Sequence, residues 1–190
     1  MSNYFSHFPK TTYDISGNGL SDSAVDICRR FAIKFVVDKR VIEIYTYVIR
    51  DGDRPDIIAA KYYGSSKYDW IVMMINNIYD VNYDWPLTQQ NFKQFIISKY
   101  GTVAAAQAAV HHYEQIIRAE QWNATGLHLP ELVVEVDLTT YTALGTSDRK
   151  SITSYTYEKE LNDSKRTINI IDEKYVDEIV AKARTMFDNG

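Results

Sequence analysis

The hydrophobic period changes twice between residues 31 and 77. Residues 31–37 (FAIKFVV) alternate, which sets Phe31, Ile33, Phe35 and Val37 on one face. Residues 41–50 (VIEIYTYVIR) are dense in β-branched and aromatic side chains, and the polar 38–40 between the two runs suits a turn. Two strands are expected, a hairpin being one arrangement. Beyond residue 50 the period becomes helical. Gly52 permits a tight turn, Asp53 can accept hydrogen bonds from the free N–H groups of a following helix, and Pro55 suits its first turn. Asp56 complements the positive end of the helix dipole. A helix is predicted over 55–63, stopped by Gly64, and a second over 68–76. The second carries Trp70, Ile71, Val72, Met73, Met74 and Ile75 in succession. A helix apolar all round is buried on all sides, and so small a module cannot surround one by itself. Its cover must come from the rest of the chain or from another protein.

Before and after this segment the patterns are weaker. Residues 1–22 place Tyr4, Phe5, Phe8 and Tyr13 among Ser, Asn, Gly, Asp and Pro9 with no regular period. That reads as an extended arm whose aromatic anchors must dock on the body or on a neighbour. Asp84-Trp85-Pro86-Leu87 breaks the helical pattern and carries a tryptophan suited to burial. Thr88 caps a helix over 89–99 with Phe92, Phe95 and Ile96 on one face, ended by Tyr100-Gly101. Residues 102–109 are a good helix former, and 111–119 read as strand or as helix. Residues 132–138 (LVVEVDL) alternate, with Leu132, Val134, Val136 and Leu138 expected inward, and 139–153 are expected to be loop. Residues 166–171 (RTINII) suit a short strand. Asp172 then caps a final helix over 173–187, with Val176, Ile179, Val180, Ala183 and Phe187 as its apolar stripe.

Composition narrows the function classes. The 190 residues suffice for one ordinary domain or two small ones, and an apolar content of 45% supports a real core. Net charge is -4, with Lys and Arg scattered among acids. This argues against a nucleic-acid binder, whose affinity rests on clustered positive charge, and against a polybasic membrane anchor. The apolar runs fall far short of the roughly 20 residues of a membrane helix. Cys28 is the single cysteine, so no intramolecular disulfide can form. The start, MSNYFSHFPK, lacks the cationic and apolar run of a signal peptide. A reducing cytoplasm, or a particle assembled there, is the expected setting. Asn123-Ala124-Thr125 matches a glycosylation sequon, which carries no weight without export. The 15 tyrosines fit either a tyrosine-rich core rim or protein interfaces, where this side chain is enriched.

No catalytic constellation stands out, and neither a cofactor nor a metal is expected. His111-His112-Tyr113-Glu114 is the one cluster of metal-type ligands, but zinc sites on helices want ligands at i, i+3 or i+4, and adjacent histidines are expected to point apart. Asp51, Asp53 and Asp56 resemble the start of a calcium loop, yet Asp56 and Tyr62 stand where its glycine and glutamate belong. Helix capping explains these acids better. Cys28 beside Arg29 and Arg30 could be an activated thiol, but its register suits a small buried residue and no histidine partner can be argued.

Two resemblances connect these segments. Residues 47–77 (YVIRDGDRPDIIAAKYYGSSKYDWIVMMINN) resemble a LysM module: strand, Gly-Asp turn, helix, Tyr-Gly break, helix, Asn. Arg54-Pro55 stands where many such modules carry Ser or Thr. The wider set NYFSHFP, RPDIIAAKYYG, YDWIVMMINNIYDVNYDWPLT, FKQFIISKYG, VHHYE and YEKELNDSKRTINII, in this order, resembles the small baseplate wedge subunit of contractile-tailed bacteriophages, the gene-product-fifty-three-like family. This second resemblance implies an α+β fold in which a LysM-like βααβ module (44–87) is embedded between an N-terminal arm with the first strands (1–43) and a C-terminal α+β region ending in an amphipathic helix (88–190). It implies a structural virion protein of the tail baseplate, assembled in the host cytoplasm. It also implies several copies around a six-fold baseplate, with other wedge subunits, the sheath initiator and the hub as partners, and no nucleic acid or membrane. Three contact regions are then expected: Tyr4, Phe5 and Phe8 in the arm; Arg54, Trp70 and Trp85 around the module; Val176, Ile179 and Phe187 in the last helix. Packing in the chain's own core is the competing role for each. The competing function is glycan binding, to peptidoglycan or chitin, on the rim between the Gly52-Asp53 turn and Asn76-Asn77.

Overall fold

The computed structural model describes residues 8–14, 16–17, 19–26 and 43–188, with the side chains at 184 and 186–188 outside that description. In chain order the elements are β1 (Lys10–Tyr13), β2 (Asp22–Val25), β3 (Ile44–Val48), α1 (Pro55–Tyr63), α2 (Asp69–Ile75), α3 (Val81–Asp84), α4 (Gln89–Tyr100) and α5 (Val103–Ala108). They continue with β4 (Val110–Arg118), β5 (Gln121–Trp122), β6 (His128–Leu129), β7 (Leu132–Val136), α6 (Leu138–Ala143), β8 (Arg149–Thr153), α7 (Ser154–Ser164), β9 (Thr167–Ile171) and α8 (Val176–Asp188). The class is α+β. Two compact units account for them: residues 1–85 with 166–190, and residues 86–165. Residues 166–190 thus group with the first unit and not with the stretch that precedes them.

In the first unit, β3 pairs antiparallel with β9, from Ile44 opposite Ile171 to Val48 opposite Thr167. The second strand of the module therefore comes from far along the chain, not from within 44–87. Helix α1 begins at Pro55 and stops where Gly64 takes φ 69°, a left-handed turn that any Cβ would strain. Its N-cap is Arg54, whose side chain makes no capping bond. The expected cap, Asp53, is used elsewhere: its Oδ2 accepts from the Tyr47 hydroxyl (2.6 Å) and from the Arg50 N–H (2.9 Å). Asp53 thereby ties the end of β3 to the Gly52 turn.

The question of what covers α2 has a direct answer. Trp70, Ile71 and Val72 are buried in succession, and Met73, Met74 and Ile75 are partly buried. They share one core with Ile58, Ala59 and Tyr63 of α1, Ile168, Ile170 and Ile171 of β9, and Val176, Ile179 and Ala183 of α8. The alternation of TINII turns Ile168 and Ile170 to the helices. Each such aliphatic side chain, fully buried, contributes on the order of 1.5–3 kcal/mol. An amide clamp closes the join. Asn76 Nδ2 donates to the Asn169 carbonyl (2.9 Å), and the Asn169 N–H donates to Asn76 Oδ1 (2.7 Å). The N-terminal segment, expected to be irregular, contains a hairpin: β1 pairs with β2 from Lys10 opposite Val25 to Tyr13 opposite Asp22. The strand expected over 31–37 lies outside the described residues, as does Cys28.

The second unit packs α4, α5 and α7 with a three-stranded antiparallel sheet of order β7-β4-β8. Thr88 and Thr102 cap their helices as expected, accepting from the N–H groups of Asn91 (3.2 Å) and Ala105 (3.0 Å). Phe92, Ile96 and Ala106 form the core, with Tyr155 packed edge-on against Phe92. Phe95, expected on the same face, is exposed. A second amide clamp ties the unit's ends: Asn162 Oδ1 accepts from the Leu87 N–H (2.7 Å) and its Nδ2 donates to the Leu87 carbonyl (3.3 Å). Of the stretch 111–119, residues up to Arg118 are strand, in β4. The stretch 139–153, expected to be loop, instead carries most of α6 and all of β8. Asp137 stops the preceding strand and caps α6, accepting from the Thr140 N–H (3.0 Å). Its two bonds from Thr140 hold its carboxyl below the usual range.

Candidate protein interface

Most of the aromatic and aliphatic residues expected at contacts are spent inside the chain. Phe8, Trp70, Trp85, Val176 and Ile179 are all buried. Trp85 does more than fill space, since its Nε1–H donates to the Asp53 carbonyl (3.0 Å) and so anchors the Gly52 turn from behind. Arg54 stays on the surface, 70% exposed, where it pairs with Asp56 at 2.9 Å. Tyr4 and Phe5 lie outside the described residues. Phe187 falls within α8, but its side chain is outside the description.

The rim proposed for sugar binding is also engaged. A glycan site needs hydroxyl-directed donors and acceptors that are available. Asp53 accepts from Tyr47 and Arg50. The Asn76 amide serves Asn169 on both of its polar atoms and also donates to the Val72 carbonyl (2.8 Å). Asn77 is a non-glycine residue with positive φ, 54°, where asparagine is tolerated better than most. These polar groups hold the fold together.

Exposed aromatic surface gathers elsewhere, at two places the sequence reading did not single out. In the first unit Tyr79 is 88% exposed and Tyr83 75%. Tyr79 sits on the loop into α3 and Tyr83 within that helical turn, and the segment is locked by its own aspartates. Asp84 Oδ2 accepts from the N–H groups of Tyr79 (2.9 Å) and Asp80 (3.0 Å), and Asp80 Oδ1 accepts from Asn82 (2.8 Å). In the second unit β4 and β7 run on into β5 and β6, which pair Gln121 with Leu129 and Trp122 with His128. Trp122, 70% exposed, has the His128 ring at 4.7 Å, and His128 Nε2 meets Glu120 at 2.6 Å. Asn123 Oδ1 accepts from the Thr125 and Leu127 N–H groups and fixes the turn. Leu127, Leu132 and Val134 are exposed along the same hairpin, as is Leu138 beyond it. The alternation expected to point Leu132, Val134 and Leu138 inward thus marks a real apolar face that the chain itself leaves open.

The signal for both places was present. Tyr79 and Tyr83 stand four apart in a run of Asp and Asn turn formers. Trp122 immediately precedes Asn-Ala-Thr-Gly, a turn sequence between two strand patterns.

The histidine cluster differs from its expected geometry. A register irregularity between Val110 and His112 turns the two neighbours together. Their Nδ1 atoms lie 2.9 Å apart, His112 Nε2 is 3.3 Å from Glu114, and the His111 ring stacks on Tyr157 at 3.8 Å. Among the described residues, no group of three or more His, Cys, Asp or Glu is placed to hold a metal ion. No helix among them is long and apolar enough to cross a membrane.

Comparison with known sequences bears on this geometry. The family described as base plate wedge protein 53 matches over residues 4–124. Baseplate wedge protein gp53 of Enterobacteria phage T4 is 31% identical over 100 residues, which cover 51% of this chain and 50% of that protein. The matched region thus spans about half the length of this curated relative.

Proposed function

The chain belongs to the base plate wedge protein 53 family, and from that premise we propose that it is a structural subunit of a phage tail baseplate that holds neighbouring wedge proteins together. One observation carries the mechanism: large aromatic side chains stand exposed on backbone that is already locked by side-chain hydrogen bonds. Tyr79 and Tyr83 are held by the Asp80 and Asp84 bonds, and Trp122 by the Asn123 turn. Burying such a side chain on a partner gains apolar area while little backbone freedom remains to be lost. The action is assembly, with no catalytic step. Arg54 on the module surface belongs to the same proposal, as do Tyr4 and Phe5 of the arm and Phe187. The other wedge subunits, the sheath initiator and the hub are the partners proposed, with several copies at the baseplate of the virion.

Glycan binding is the weaker reading, because its named donors and acceptors already serve the fold. Co-purification decides between them. The tagged full chain, expressed with the neighbouring tail genes, should bring down wedge proteins whether or not soluble peptidoglycan fragments are added. Trp122→Ser should lower recovery, a central anchor of this kind being worth about 2 kcal/mol. Binding to the fragments with no tail protein recovered would overturn the wedge reading.

A further inference from the structure

We propose that β7, an edge strand of the second unit's sheet, pairs antiparallel with the β7 of a second copy of this chain, centred on Val134, so that two three-stranded sheets join into one of six strands. The inference stands apart from the wedge reading, whose partners are other proteins. Three observations carry it.

The first is the edge itself. Among the described residues, the sheet order β7-β4-β8 leaves β7 hydrogen-bonded on one side, to β4. Alternate residues of an edge strand turn their N–H and C=O groups outward, where another strand can take them. The register irregularity between β4 and β7 puts its extra residue, Ile117, on β4, so β7 itself stays regular. Charged side chains, lysine above all, guard an edge against such pairing. The opposite edge, β8, carries Arg149 and Lys150 side by side. Within β7 the single charge is Glu135.

The second is the division of β7 between its faces. Leu132, Val134 and Val136 share one face of the sheet, and Val133 and Glu135 share the other. Leu132 and Val134 are exposed. A two-fold axis normal to the sheet lays this apolar row beside the same row of the second copy, and side chains directly opposite across a strand pair cover one another.

The third is that the sequence of β7 fits itself in one register. With the axis at Val134, Val134 meets its own counterpart, Leu132 meets Val136, and Val133 meets Glu135. No like charges oppose each other along the five residues. Beyond the ends Glu131 meets Asp137, but Lys150 already lies 3.2 Å from Glu131, and Asp137 is engaged as the cap of α6. Moving the axis one residue back sets Glu131 against Glu135, and moving it one residue forward sets Glu135 against itself. Like charges directly opposite destabilise a strand pair. A strand complementary to itself points to a copy of itself as the occupant.

The test begins with sedimentation equilibrium of the full chain over a series of concentrations. The mass should rise from that of one chain to that of two. Val134→Lys sets two ammonium groups opposite each other and should weaken association about fivefold or more, while hydrogen exchange in α4, α5 and α7 stays slow and shows the unit still folded. In a Cys28→Ser background, Val134→Cys should form a disulfide between copies on mild oxidation, because opposed Cα atoms lie about 4.5–5.5 Å apart. Val133→Cys, opposite Glu135 and not its own counterpart, should cross-link far less. A mass of one chain at every concentration overturns the proposal, as does equal cross-linking through the two cysteines. A dimer untouched by Val134→Lys would assign association to another face and also overturn it. So would concentration-independent protection of the β7 amides in a single chain, which would mean that another segment of the same chain fills the edge. Wedge proteins recovered by a chain that stays single would sink this inference alone. A chain that pairs through Val134 but recovers no tail protein would sink the wedge reading and leave the strand pairing standing.

Discussion

Two asparagines carry more of this structure than their size suggests. Asn76 and Asn162 each offer a carbonyl and an amide to one backbone residue, Asn169 and Leu87, and so mimic the bonds of a strand partner. Each clamp sits where its unit must close on a distant part of the chain. Asn76→Ala removes bonds to Asn169 and Val72 and should lower stability by about 2 kcal/mol, read from the urea midpoint. Tyr47 gives a pH signature. Its hydrogen bond to Asp53, and then its burial, push its pKa up to about 12. The folded chain therefore holds this proton more tightly than the unfolded chain, whose phenol titrates near about 10. The contribution is complete below about pH 10 and is lost as pH rises toward about 12. Stability should fall over that window, and Tyr47→Phe should make the fall shallower. Gly64→Ala, forced into φ 69°, should cost about 1 kcal/mol. At this scale the sequence was readable wherever a residue acts on its near neighbours. Thr88, Thr102, Asp172 and Gly64 all do the local work expected of them. Asp53 does not, because a tyrosine hydroxyl six residues earlier competes for its carboxylate, and nothing in the linear pattern weighs a cap against a side chain across a turn.

Strand partnership is the element-scale result. The β3 strand finds its partner in β9, more than a hundred residues later, and the same returning segment joins α1 in the core around α2. The continuous apolar run of α2 announced that a cover was required, and RTINII announced a strand. Neither says that one serves the other, since hydrophobic period reports a buried face without its address. For the same reason LVVEVDL showed an apolar face but not whether the chain fills it. On that side of the sheet, the Tyr141 ring of α6 meets Tyr113 at 4.4 Å, while Leu132 and Val134 remain exposed. Ending the chain after Lys165 should therefore leave 44–75 without protection in hydrogen exchange, while α4, α5 and α7 keep theirs. Retained protection over 44–75 would mean that the module is self-sufficient.

For the whole molecule, the family resemblance and the exposed aromatics lead to one account. The buried candidates, Trp70, Trp85, Val176 and Ile179, build a scaffold; Tyr79, Tyr83 and Trp122 stand outside it. The sequence supplied the number of aromatics but not this division, because burial is decided by elements that meet only after folding. Substituting Tyr79 or Trp122 by Ser should change stability by no more than about 0.5 kcal/mol, while assembly suffers. The measurement that bears most directly on the account is a cryo-electron microscopy reconstruction of the assembled tail containing this chain. The account predicts the chain in the baseplate wedges, with Tyr79, Tyr83 and Trp122 buried against neighbouring subunits and the Asp53–Asn76 rim bonded as it is in the isolated chain. A tail baseplate that lacks the chain, or holds it with those three side chains facing solvent, would contradict it.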